Sequence, residues 1–351
     1  MPSSLSRPAP SPSAARPPQV RVGLLTVGVG VVALLAAACG SSSSSSSATT
    51  AAPAVTTAPT ITAPAPATTT APTTASAPTT ASAPTTAGAT KQSGDVDVFS
   101  AGSLDTLMTK SVGPAFHAAT GYTLVDTSHG SGALASDIKN KVAVADVFVS
   151  ASPAVDAKLE GAANGNWVSW YAAFASSPVV LGYYPKSKFA KDLQTMPWYK
   201  VITLPGFRLG RTDPTQDPGG VLAAKALDET ATAQHLPALA KLATETSDVY
   251  EEDTEQADIQ TGQLDASFMY ESDAISQASP FVTLTGVNLA GDYTITIVKG
   301  APHTAAAEAF IKFLLGPTGQ AEMKADKFGV VSPATVSGSG VPSGLTSVFK
   351  P

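Results

Sequence analysis

The sequence predicts an α/β fold built on a largely parallel sheet, and one pattern, met three times, predicts it. In each case a short apolar strand ends in small residues and is followed by apolar positions at helical spacing. Strands that alternate with helices pack as a parallel sheet with helices on its faces.

The first repeat is VDVFSAGSL, in which Val96, Val98 and Phe99 form the strand and Ala101-Gly102-Ser103 break it. Leu104, Leu107, Met108 and Val112 then fall at i, i+3, i+4 and i+8, one face of a helix. The second repeat is the strand YTLVDTS followed by HGSGALASDI, where Gly130-Ser131-Gly132 precede Leu134 and Ile138. The third is ADVFVSAS, Ala145 to Ser152, with a helix expected from Pro153. Gly102, Ser103 and Ser131 therefore sit where strands give way to helices, the end of a parallel sheet at which ligands lie. A helix start offers unpaired N–H groups and the positive end of the helix dipole, serine adds a hydroxyl donor, and glycine leaves the backbone uncovered. Serine is also a common N-cap, so either site alone is weak evidence. Two equivalent Gly-Ser turns together make a candidate oxyanion cradle.

The N-terminal quarter does not read as globular. Arg7, Arg16 and Arg21 are the charges of the first 39 residues, and the apolar run VRVGLLTVGVGVVALLAAAC ends at Cys39 behind Ala36, Ala37 and Ala38. This predicts a lipoprotein signal peptide over 1–39 with Cys39 as the lipidation site; a retained membrane-spanning helix is the competing reading. Residues 40–93 are almost wholly Ser, Thr, Ala and Pro, with APTTAS at Ala71 and again at Ala77. Such a stretch has too little apolar mass to offset its ordering entropy and reads as a disordered tether. One cysteine in 351 residues excludes an internal disulfide framework. Beyond residue 39 the chain carries a net charge of about −9, which argues against nucleic acid or an anionic membrane surface as partner. A small anion stays open, because backbone dipoles hold anions without net positive charge.

The densest chemistry lies in GRTDPTQDPGG, Gly210 to Gly220. Pro214 and Pro218 fix the backbone around two carboxylates, and Gly219-Gly220 allow a helix to begin close against a ligand. A structural Asp-Pro turn is the bland alternative.

With FSAGSL, GSG at Gly130, ADVFVSAS, the block WYAAFASSPVVLGYYPKSK, WYK at Trp198, SFMYES and AFIKFLLGPTGQ, this stretch resembles the molybdate/tungstate-binding lipoproteins that serve ABC importers. The resemblance spans nearly all of the globular part. It implies a bilobed type II periplasmic-binding-protein fold: two parallel or mixed sheets with flanking helices, joined by a two-crossing hinge. Lobe 1 would comprise 94–176 and 280–351, and lobe 2 would comprise 177–279. It also implies a ligand site at Gly102, Ser103, Ser131, Asp217, Pro218, Gly219 and Tyr293, with the Asp217 carboxylate bonded to the Mo or W centre of the anion. Asp213 is the alternative carboxylate. The family's second metal-bonding carboxylate, a Glu, falls here on Met269, and a thioether cannot replace a hard anionic ligand at an oxo-metal centre. If the strand runs on through SFMYES, Met269 and Glu271 share a face about 7 Å apart, so either Glu271 substitutes by a small shift or the site has lost six-coordination and is a tetrahedral pocket closed by hydrogen bonds alone. The resemblance implies no enzymatic activity and no cofactor beyond the transported anion. Its partners would be an ABC permease and the membrane, with a monomeric chain lipid-anchored to the outer face of the cell membrane.

Three other readings remain open from the residues alone. Sulfate or phosphate could replace the metal oxyanion. A metal cation would suit the negative charge and Tyr250, Tyr270 and Tyr293. A secreted serine hydrolase could use Ser131, although HGSGA lacks the G-x-S-x-G elbow. His117, His129, His235 and His303 show no metal-ligand spacing.

Overall fold

A computed structural model describes residues 92–350. The signal-like run, Cys39 and nearly all of the predicted tether lie outside them. Among the described residues no helix is long and apolar enough to cross a membrane.

Ten strands form one sheet in the order β2-β1-β3-β9-β4-β7-β5-β6, with β8 and β10 also paired to β4. They are β1 (Asp95–Ala101), β2 (Thr123–His129), β3 (Val147–Ser150), β4 (Trp170–Tyr183), β5 (Leu209–Thr212), β6 (Val249–Tyr250), β7 (Ala266–Tyr270), β8 (Phe281–Thr283), β9 (Ala290–Ile297) and β10 (Gly329–Gly338). The three predicted strands are β1, β2 and β3, and β1 pairs parallel with both neighbours. The β3 strand is shorter than its motif, because Ser152 leaves it to cap the next helix, accepting a bond from the Ala154 N–H at 3.3 Å.

The 14-residue β4 joins the two halves of the molecule. Its Ala172 to Pro178 stretch pairs antiparallel with β9, and Val179 to Tyr183 pairs with β7. The sheet is therefore mixed, and the chain passes between the halves along β4 and again between β8 and β9.

Eleven α-helices flank it among the described residues. The first half carries α1 (Gly113–Thr120), α2 (Ser131–Asn140) and α3 (Pro153–Asp156). The second carries α4 (Ala190–Thr195), α5 (Trp198–Val201), α6 (Pro218–Gln234), α7 (Pro237–Thr244), α8 (Glu252–Thr261) and α9 (Glu271–Ser276). After β9 come α10 (Thr304–Leu314) and α11 (Pro317–Ala325). The helix expected from Leu104 is broken into a 3-10 turn at Gly102–Leu104, a π-helical stretch at Leu107–Val112, and α1. Pro114 lacks the N–H that would continue the α ladder, and the preceding Gly113 N–H bonds to the Met108 carbonyl five residues back.

The core follows the strand alternation. Val96 and Val98 belong to the main cluster with Phe116, Trp170, Phe174, Tyr293 and Phe310, while Phe99 and Phe148 face α2 and α3 in a second cluster with Leu134, Ile138 and Leu159. Burial on both faces of the sheet fixes the register and, with it, the strand ends that carry the site.

Candidate functional site

The site lies where the carboxyl ends of β1, β5 and β7 face the crossing strands. On the β1 side, Gly102–Leu104 turns directly off the strand, and the Ser103 hydroxyl lies 2.8 Å from the Tyr293 hydroxyl on β9. Two residues far apart in sequence are thus joined in one buried pair. The Tyr293 ring, fully buried, stacks edge-on against Tyr270 at 5.9 Å and Phe328 at 5.2 Å.

On the β5 side, the loop of GRTDPTQDPGG is shaped by Asp213. Its Oδ1 accepts the Thr215 N–H and hydroxyl, both at 2.8 Å, and its carbonyl accepts the Asp217 N–H at 2.8 Å. Asp213 is therefore occupied in building the turn. Asp217 takes the N-cap position of α6 with Pro218 at the first helical position, and the Thr212 hydroxyl donates to its Oδ2 at 2.5 Å. Burial raises the Asp217 pKa, opposed by the Thr212 hydroxyl and the amides of Gly219 and Gly220. A side chain at Gly219 would crowd the Asp217 carboxylate, and one at Gly220 would overlap the backbone of Thr212 to Pro214. Arg211 of the same motif points away: 2% exposed, it pairs with Asp248 at 3.4 Å and donates to the carbonyls of Ala243 and Glu245.

The second Gly-Ser turn serves differently. Ser131 opens α2, and its hydroxyl accepts the Ala151 N–H at 3.1 Å. The N–H groups of Gly132 and Ala133 donate to the Gln216 carbonyl at 2.7 and 3.1 Å. The N-terminus of α2 is thus bound by the loop that carries Asp217, and the two halves of the molecule are in contact there.

Two cavities meet at Asp217. The outer one, about 520 Å³, runs between Gly132, Ser152 and Lys158 on one side and Gln216, Pro218 and Lys225 on the other. The inner one is about 20 Å³, room for about one water molecule. Its lining includes Thr212, Gly219, Glu252, Glu255, Met269, Tyr270 and Asp273. Four carboxyl groups and no Lys, Arg or His line it. Burial first, and repulsion by the neighbouring acids second, pushes Glu252 well above the ordinary carboxyl range. Burial likewise lifts Asp273, and raises Glu255 to about 8 although the Ser267 hydroxyl donates to it. A dianion lying against ionised carboxylates would be repelled by about 4 kcal/mol per pair of unit charges at 4 Å, so Glu252, Glu255 and Asp273 must hold protons if an anion binds beside this cavity. Of the residues around this space, Tyr270 Oη, Glu252 Oε2 and Gln277 Oε1 are buried without hydrogen-bond partners. Unpaired buried polar groups on this scale point to a polar ligand.

The structure corrects the expectation for Glu271. β7 ends at Tyr270, whose N–H donates to Asp273 Oδ2 at 3.3 Å as the cap of α9, and Glu271 begins that helix. Helix geometry turns Glu271 off the face of Met269, and it lines neither cavity. Met269 does line the inner one and lies across Gly182 of β4. The acids that do reach the cavity, Glu252, Glu255 and Asp273, escaped the sequence reading. Glu255 and Ile259 fall four apart and are both buried, so α8 carries an acid on its inward face; in the sequence, EEDTEQ looks like a solvated helix start.

The model of bacterial extracellular solute-binding proteins matches residues 96–328. The chain belongs to that family. A Haloferax volcanii protein provisionally named an ABC transporter molybdenum-binding protein is 28% identical to this solute-binding protein over 254 residues, 65% of this chain and 80% of the relative. The molybdate/tungstate-binding protein of Thermococcus kodakarensis is 23% identical over 207 residues, 44% of this chain and 58% of that one. Among solved structures, the periplasmic molybdate-binding protein of Azotobacter vinelandii superposes with a TM-score of 0.54 at 20% identity, covering 66% of this chain and 98% of its own. The sulfate-binding protein of Mycobacterium tuberculosis gives 0.54 at 16%, covering 68% and 88%. At such identities the structural likeness establishes the bilobed periplasmic-binding-protein fold and leaves the ligand to the site's chemistry.

Proposed function

We propose that this solute-binding protein is the extracytoplasmic component of an ABC importer and captures a tetrahedral oxyanion, molybdate or tungstate, between its two lobes. The lobes would be 94–176 with 280–351 and 177–279, closing on the anion and presenting the closed form to a membrane permease. The chain would act as a monomer held to the membrane through a lipid on Cys39. The observation that carries the reading is the placement of Asp217: a carboxyl aimed by Thr212 at the start of α6, between the two halves and near the Ser103–Tyr293 hydroxyl pair. A carboxylate repels an oxyanion unless it reaches an atom that can accept a further ligand. Molybdenum and tungsten expand their coordination and sulfur does not, so Asp217 would separate the metal oxyanions from sulfate.

A cation is the second reading, favoured by the four acids and the absence of a basic side chain around the inner cavity. Against it, among the described residues the three-residue cluster whose ligand atoms lie within 4.8 Å of one another is Asp97, Asp146 and His303, outside this site. Calorimetric titration of the full chain with molybdate, tungstate, sulfate, phosphate and ferric ion separates the readings. Binding of molybdate and tungstate alone, weakened at least about 100-fold by Asp217→Ala, is the expected result. Heat with sulfate or phosphate alone replaces the ligand, and heat with the cation alone overturns the oxyanion reading.

A further inference from the structure

The geometry points to a divalent-metal site of the zinc type at Asp97, Asp146 and His303, at the end of the sheet away from the cleft. The three side chains come from three elements: Asp97 lies near the start of β1, Asp146 directly precedes β3, and His303 caps α10. One ligand atom from each lies within 4.8 Å of the other two. His303 Nδ1 is 2.9 Å from Asp146 Oδ2 and 3.7 Å from Asp97 Oδ2. Ligands about 2.0–2.1 Å from a tetrahedral ion stand about 3.3 Å from one another, so these separations bracket what such an ion requires. Sequence spacing hid the site, because Asp97 and Asp146 are 49 residues apart and Asp146 and His303 are 157 apart.

A helix cap alone does not account for the arrangement. Capping α10 takes one carboxylate oxygen, and Asp146 Oδ1 accepts the His303 N–H at 2.7 Å. The Asp97 N–H donates to Asp146 Oδ2 at 2.9 Å, and the Asp146 N–H donates to the Asp97 carbonyl at 2.8 Å. These backbone bonds hold the two acidic residues side by side before any ion arrives. Asp146 is fully buried, and among the described residues neither carboxylate has a Lys or Arg within ion-pair distance. Buried charge is either paired or spent on a metal, and an imidazole, itself a metal ligand, is the group that faces these two acids.

The donor set selects the ion. One imidazole nitrogen and two carboxylate oxygens suit zinc and its first-row neighbours, whereas calcium and magnesium prefer oxygen alone. The His303 and Asp97 side chains are 46% and 36% exposed, which gives an entry path and room for water as the fourth ligand. The imidazole binds as the neutral ring through Nδ1, and any proton held there leaves to solvent. Asp97 stands five residues, about 17 Å, along β1 from the turn at Gly102. The ion therefore ties β1, β3 and α10 together without entering the cleft, and the inference does not depend on the oxyanion reading.

The test is calorimetry of the full chain, stripped with a chelator, against zinc chloride and calcium chloride, repeated with His303→Ala, Asp97→Asn and Asp217→Ala and with a thermal melt beside each. Expected are one zinc ion per chain and an affinity weakened at least about tenfold by His303→Ala and by Asp97→Asn but unchanged by Asp217→Ala. Zinc should raise the melting temperature only where His303 is present. His303→Ala keeps the backbone N–H that Asp146 accepts, so the variant should fold. Zinc heat that survives both His303→Ala and Asp97→Asn overturns the inference, as does calcium bound more tightly than zinc. Zinc heat lost only in Asp217→Ala overturns it too and moves the cation to the cleft. No zinc heat at all overturns it and leaves the oxyanion reading, which molybdate tests, standing.

Discussion

In the proposed function Asp217 meets the anion only if its carboxyl is aimed, and the aim comes from a neighbour. Thr212, the last residue of β5, is 5% exposed and donates to Asp217 Oδ2 at 2.5 Å. Thr212→Val keeps the shape and removes the donor, leaving the carboxyl to the Gly219 and Gly220 amides alone. Affinity for the anion is expected to fall about tenfold, the size of one hydrogen bond to a charged group, with little change in melting temperature; calorimetry beside a thermal melt checks both. At this scale the sequence was readable where a residue carries an unusual backbone or motif. The proline-fixed Asp217, the Gly102-Ser103 turn and Ser131 all sit at helix starts. Glu252, Glu255 and Asp273 were not readable, because a buried acid is recognisable only by what surrounds it, and its surroundings come from β1, α6 and α9.

Among the elements, β5 depends most on one buried pair. Arg211 donates to Asp248 and to two carbonyls at the end of α7, tying β5 to the chain that forms β6. Removing one partner strands the other charge in the interior, so Arg211→Ala is expected to lose about 3–5 kcal/mol of stability, read from denaturant unfolding. Anion affinity of the folded fraction should change little, since none of the guanidinium bonds reaches the cavities. The elements were legible wherever period or junction chemistry was strong, as in β1, β2, β3 and α2. They were misjudged where one residue overrode the pattern. Asp273 caps the chain at Tyr270 and ends β7 two residues inside the motif SFMYES, which removes Glu271 from the strand face. Pro114 splits the first helix by denying it an N–H. Period arguments do not see a cap made three residues further on.

Across the whole molecule, buried acids set an unusual dependence on pH. Burial raises Asp126 and Asp156 to about 7 and Glu255 to about 8, from 3.8, 3.8 and 4.5. An acid whose folded pKa exceeds its unfolded value holds its proton longer when folded, so its contribution to stability is complete at acid pH and drains away up to the folded value. Melting temperature is therefore expected to fall as pH rises from about 5 to 8. Asp265, lowered by Arg208 and Ser187, acts in the opposite sense only under more acid conditions. A flat or rising profile would mean that these acids are ionised inside the fold. The contact between the start of α2 and the Asp217 loop gives a sharper test of the proposed closure. Gly132 lies in the first turn of α2, and a side chain there would meet the backbone oxygens of Thr215 and Gln216 from the opposite half. Those atoms are main chain and cannot turn aside. Yet Gly132 has no positive φ, and alanine suits a helix better than glycine by about 1 kcal/mol. Gly132→Ala should then leave the ligand-free protein as stable or slightly more so while it props the halves apart and weakens the anion by about tenfold or more. Small-angle scattering should show less contraction on adding molybdate than in the unsubstituted chain. If affinity and contraction both survive, the bonds from Gly132 and Ala133 to Gln216 do not hold the cleft closed, and closure must come from the ligand's own contacts at Asp217 and the hydroxyl pair.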